Sequence, residues 1–236
     1  MMLTPDLQRP PLSRAVAWRE VGLAVVVLWS VLGGACFFLG AQSIYDRWGT
    51  SLNATLVLDV VFLIGCLAVI GFVFWRQRRQ GEGIVELGWG RPVRMPVIVI
   101  AVVYGLAWTA MSYMRGGDPL AFPWQRPIMM AIGLVLAFAE EIAVRGLILD
   151  RLARCGTSRI IQIVVTAGIM AVYHGVVGHS VWPSYMVSSF VLFGVLSVIY
   201  VYGGRSLTPV YIAHAMAHFL GDPALMQGVL YGAGAG

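Results

Sequence analysis

Glu140 and Glu141 stand side by side in a stretch that is otherwise apolar from Ile128 to Leu149, and Arg145 follows four residues after Glu141. Such a run is long enough to cross a bilayer, which takes about 20 residues. A charged group at membrane depth costs roughly 2.5–3.5 kcal/mol even on the lenient insertion scale. Charges at 140, 141 and 145 therefore must face a protein interior or a wet cavity rather than lipid. Residues four apart on a helix share a face, so Glu141 and Arg145 can pair. Glu140 points about 100° away from its neighbour. The two carboxylates thus divide into one held by a guanidinium and one left able to take a proton, as a general base must.

Three histidines occupy later apolar runs: His174, and the four-apart pair His214 and His218. Counted from the expected cytoplasmic helix ends at about 1.5 Å per residue, Glu140 lies roughly 15 Å deep, His214 roughly 10 Å, His218 roughly 16 Å and His174 roughly 21 Å. The pair on one helix projects to one side. Each group taken singly has a structural account. His174 can be a core histidine bonded to a backbone carbonyl, His214 and His218 can be packing glue, and Glu141–Arg145 can lock two helices together. Asp59 fits helix packing or the interface, and His179 fits a solvated loop edge. Two carboxylates, one arginine and three histidines at similar depth on three helices point instead to one shared cavity. Ser188, Ser189 and Ser197 carry no nucleophile signature, and Cys36, Cys66 and Cys155 are isolated, with neither a disulfide framework nor a CxxC site.

These groups need helices to hold them. Of 236 residues, 59% are hydrophobic and 11% charged, against about 25% charged in soluble domains. The apolar runs are continuous, where a barrel would alternate over about 10 residues. The expected fold is all-α, a polytopic transmembrane helical bundle in one integral membrane domain, residues 1–236. Helices are expected over about residues 21–40, 54–75, 97–113, 128–149, 160–177, 184–202 and 208–220. Arg151, Arg154 and Arg159 mark the loop after the carboxylate helix. The turn-rich segment 81–94 has a portion, 84–89, suited to the interface, where Trp is favoured.

All 16 basic residues are arginine. Arg9, Arg14, Arg19, Arg76, Arg78, Arg79, Arg91, Arg94, Arg151, Arg154, Arg159 and Arg205 fall on one side of the expected bundle, and Arg47, Arg115 and Arg126 on the other. This asymmetry gives seven spans with a cytoplasmic N-terminus. The arginines flank apolar runs, so the positive charge does not imply nucleic acid. The polar start and the long first apolar run are unlike a cleaved signal. Absence of lysine fits a high-GC bacterial genome, hence a multi-pass protein of the bacterial plasma (inner) membrane.

The pattern Glu140-Glu141-x-x-x-Arg145, then His174 near the end of an apolar helix, then His214-x-x-x-His218, resembles the CPBP family of CAAX-processing and bacteriocin-processing intramembrane proteases, also called the ABI family. The resemblance covers about residues 128–220, the expected catalytic core. The segment Glu86-Leu-Gly-Trp-Gly-Arg91 is similar to the LGL-type stretch that precedes that core. Two positions depart: Met170 stands where the family has Phe, and His218 where it has Asn or Asp. The resemblance implies an endopeptidase acting on a membrane-anchored protein or peptide. It implies that Glu140 and His174 activate water, that His214 and His218 donate to the oxyanion, and that Glu141 and Arg145 fix the helix. It implies no cofactor. The alternative is a zinc site of His174, His214, His218 and Glu140, with three ligands and an open position. Prenylated tails, bacteriocin leaders and anchored surface proteins are the family's substrates, and prenylated tails do not suit a bacterial chain. A non-catalytic protein (immunity, scaffold or proton-coupled transport) would use the same charges as a relay.

Overall fold

The computed structural model describes residues 10–34, 52–114, 122–177 and 182–220. Among these residues there is no strand and there are seven helices. They are α1 (Arg14–Gly34), α2 (Leu52–Arg79), α3 (Met95–Met114), α4 (Gln125–Arg154), α5 (Arg159–Val177), α6 (Trp182–Tyr202) and α7 (Leu207–Leu220). Each coincides with an apolar run in the sequence. Pro96, Pro127, Pro183 and Pro209 lie in the first turns of α3, α4, α6 and α7, where a missing N–H leaves no bond unmade. Ser13 caps α1 by accepting from the Val16 amide at 3.3 Å. Between α6 and α7 the chain reverses through Gly204 and Arg205, both at positive φ. Cys36, the loop residues Tyr45, Asp46 and Arg47, His179, Arg9, Arg115 and the glycine-rich tail lie outside the described residues.

Arg14–Gly34, Leu56–Arg79 and Gln125–Arg154 are long and apolar enough to cross a membrane, and Met95–Met111, Arg159–Gly175 and Met186–Tyr202 are apolar but shorter. Ile64, Val103, Ile160 and Val187 turn outward, as lipid-facing side chains do. Helix α4 is different, because every residue from 139 to 152 is buried. It packs between α2 and α7, and its middle also touches α1 and α5. α5 runs along α6, and α3 along α7.

Helix α4 departs from the sequence expectation twice. Residues Ile142–Leu149 are wound as a π-helix, a form concentrated at functional sites that no side-chain pattern announces. The helix also continues to Arg154, so Arg151 and Arg154 are not loop residues. Arg151 is fully buried and donates to Asp150 Oδ2 at 2.6 Å, Gln80 Oε1 at 2.5 Å and Glu82 Oε2 at 3.3 Å. Arg154 donates to Glu82 Oε1 at 2.6 Å, and its carbonyl accepts from the Leu12 amide at 3.1 Å. Charge-assisted bonds to acceptors contributed by α2 and the segment after it make this burial tolerable. The sequence shows the arginines but not those distant acceptors.

The segment 84–91 is only partly interfacial. Ile84 and Val85 are exposed, yet Leu87 is buried against Gly146 of α4. The Gly88 carbonyl accepts from the Leu207 amide at 2.9 Å, at the start of α7. Arg91 donates to the carbonyls of Val85, Glu86 and Arg205. The turn is therefore a strap joining α4 to α7. Gly88 sits at φ +102°, and a Cβ there would lie 2.7 Å from the Arg205 carbonyl. Gly88→Ala is expected to cost about 1–3 kcal/mol, the usual range for a strained backbone position. Gly90 also has positive φ but meets open space, so Gly90→Ala should cost less. Thermal unfolding of the two purified variants in detergent measures the difference.

Candidate active site

Small residues bring α7 close to its neighbours. A Cβ at Gly133 of α4 would lie 2.8 Å from His218 Cβ, and one at Gly105 of α3 would lie 2.9 Å from the Ala213 carbonyl. Such close approach is typical of helices packed inside membranes. It sets the His214–His218 face of α7 against the Glu140–Arg145 face of α4.

The centre of the arrangement is Glu141 Oε1. It accepts from Arg145 Nη1 at 2.9 Å and from His214 Nδ1 at 2.8 Å. His214 Nε2 then lies 3.2 Å from His218 Nε2 and 3.8 Å from Glu140 Oε2. Glu140, Glu141, Arg145 and His214 are all buried. The adjacent carboxylates are thus unequal. Glu141 is held by a guanidinium and an imidazole. Glu140 is hydrogen-bonded to Tyr173, and its Oε2, like Glu141 Oε2, is buried with no hydrogen-bond partner. Buried carboxylate oxygens without protein partners are where ordered water is needed.

His174 joins from α5. Its Nδ1 donates to the Met170 carbonyl at 2.8 Å, which makes Nε2 the accepting nitrogen of the neutral ring. This is the carbonyl bond of a core histidine, but here it orients the ring toward the site. The His174 ring stands 4.9 Å from the Phe193 ring, and Phe193 stands 5.3 Å from His214. All six candidate residues, Glu140, Glu141, Arg145, His174, His214 and His218, therefore meet in one region fed by α4, α5 and α7. The two histidines of α7 are linked in series rather than side by side. One proton serves the contact between their Nε2 atoms.

His214 bonds Glu141 and His174 bonds a backbone carbonyl through Nδ1, which leaves Nε2 as the nitrogen of each ring that a metal would take. Among the described residues, no three His, Cys, Asp or Glu side chains are grouped so as to hold a metal.

Three side chains escape sequence reasoning. Tyr173 bonds Glu140. Phe193, fully buried on α6, offers its carbonyl to Arg145 Nη2 at 2.8 Å and its ring face to the same guanidinium at 5.0 Å. Ser197, one turn on, lies 3.4 Å from Arg145 Nη2 and 3.0 Å from Thr166 Oγ1. The available signal was Arg145 itself, since a buried guanidinium has five donors to satisfy. Asp59 is half-buried on α2 and enters none of these bonds. Cys66 and Cys155 are free thiols.

Comparison with curated proteins and with solved structures found no match. Residues 122–220 match the family model described as Type II CAAX prenyl endopeptidase Rce1-like. That segment contains all six site residues and the whole of α4 to α7. Residues 122–220 of this integral membrane protein thus carry an Rce1-like domain of the CAAX membrane-protease type, consistent with the CPBP family.

Proposed function

We propose that the chain is an intramembrane endopeptidase that hydrolyses a peptide bond in a membrane-anchored protein or peptide without a metal. The observation that carries this reading is the unequal pair: Glu141 Oε1 accepts from both Arg145 and His214, while Glu140 lies 3.8 Å from the same imidazole and is not bonded to the guanidinium. Glu140 takes a proton from water, assisted by His174 Nε2. The hydroxide oxygen adds to the scissile carbonyl carbon, and the oxyanion is met by the Nε2 proton that His214 and His218 share. The proton on Glu140 passes to the leaving nitrogen as the C–N bond breaks. A single oxyanion donor contributes about 2.7–4 kcal/mol in other enzymes. Arg145 and Glu141 hold α4 in register. Seven spans with a cytoplasmic N-terminus, in a bacterial inner membrane, fit the arginine distribution and the absence of lysine.

The test compares protein termini in membranes of cells making wild type, Glu140→Ala or His174→Ala. Termini that form only with wild type support the protease. The same termini at wild-type abundance in both variants overturn it and leave an immunity, scaffold or transport role. Stoichiometric zinc in the purified protein, lost in His218→Ala, would favour a zinc protease instead.

A further inference from the structure

We infer that Phe193, on a helix that contributes no ionisable group to the site, is the positioning residue that sets the distance between the water-activating and oxyanion-stabilising halves of the centre. The inference rests on the protease reading. Contacts with three residues support it. The Phe193 ring is tilted 37° to the His174 ring at 4.9 Å and stands edge-on, at 88°, to the His214 ring at 5.3 Å. It therefore occupies the space between the two imidazoles. Its face receives the Arg145 guanidinium at 5.0 Å, and its backbone carbonyl accepts from that guanidinium at 2.8 Å. One residue thus touches His174 of α5, Arg145 of α4 and His214 of α7.

Phe193 is itself fixed. It is fully buried. Four residues on, Ser197 bonds Thr166 of α5 at 3.0 Å, and Thr166 donates to the Gln162 carbonyl at 2.8 Å. This bond ties α6 to α5, so the wedge and His174 move together. Placing reacting groups wrongly by about 1 Å can cost about 100-fold in rate. A smaller side chain at 193 would let the imidazoles close on each other without removing any proton-carrying group.

The test uses the full-length protein in detergent, with a peptide whose cleavage depends on Glu140. Phe193→Leu keeps an apolar side chain but removes the ring. Phe190→Leu, on the outward face of the same helix, is the control. The expected result is a fall in kcat of about 10–100-fold with KM changed less than about three-fold. The ¹⁵N resonances of His174 and His214 should shift in Phe193→Leu and stay in place in Phe190→Leu. Phe193→Tyr, which keeps the ring, should retain more activity than Phe193→Leu. Unchanged kcat with unshifted imidazole resonances overturns the inference, as does a lowered Tm with imidazoles in place, which is ordinary core packing. If no Glu140-dependent cleavage exists, the protease reading fails. The resonances then still decide whether Phe193 spaces the imidazoles.

Discussion

Glu140→Gln is expected to lower kcat by about 10²–10⁴-fold, the range for loss of a general base, while KM changes little. Glutamine keeps the volume and an oxygen to accept from Tyr173, and it leaves the Glu141–Arg145–His214 bonds untouched. What it cannot do is take a proton from water. The folded state should be preserved, because the replaced group forms no ion pair with a permanently charged side chain among the described residues. Glu140 Oε2 lies 3.8 Å from the His214 Nε2 atom, a contact that glutamine can keep. The measurement is a steady-state assay on a peptide cleaved by wild type, with Tm recorded alongside. A variant retaining more than about one-tenth of the wild-type kcat would remove Glu140 from the role of base.

Arg145→Met should instead act through stability. Arg145 and Glu141 are both fully buried and 2.9 Å apart. Removing one member of a buried pair typically costs about 3–5 kcal/mol, because the other charge is left without its counter-ion. His214 would still bond Glu141, which places the expected loss at the lower end of that range. Arg145→Lys should not restore the site. A lysine ammonium lacks the planar fork that reaches Glu141 on α4 and the Phe193 carbonyl on α6 at once. The double variant Glu141→Gln/Arg145→Met removes both charges and should recover much of the stability, but not the activity. Denaturant unfolding of the three proteins in detergent reads this cycle. A loss of less than about 1 kcal/mol in Arg145→Met would mean that the pair carries little of the fold.

Much of this architecture is legible in the residues. Seven apolar runs become seven helices because continuous apolarity, first-turn prolines and a Gly203-Gly204-Arg205 reversal leave the backbone few alternatives. The pairing of Arg145 with Glu141 rather than Glu140 also follows from spacing alone, since residues four apart share a face and neighbours do not. What stays hidden depends on contacts between distant segments. Arg151 looks like a loop arginine until Gln80 and Glu82 are seen to fold over it. Nothing in the apolar run around Phe193 shows that Arg145 reaches its carbonyl. Ser197 has no nucleophile context in the sequence, and in the structure it is a tie between helices. The serial contact of His214 with His218 depends on how closely α7 approaches α4. Gly133 permits that approach but does not announce it.

The wide turns of Ile142–Leu149 give α4 slack. An ordinary helix rotates everything beyond a one-residue deletion by about 100°. A π-wound stretch can absorb such a deletion by tightening to ordinary turns, so the glutamates above it and the arginine clasp below it keep their phase. During sequence drift, a one-residue deletion between Arg145 and Leu149 should therefore be survivable, and one outside Ile142–Leu149 damaging.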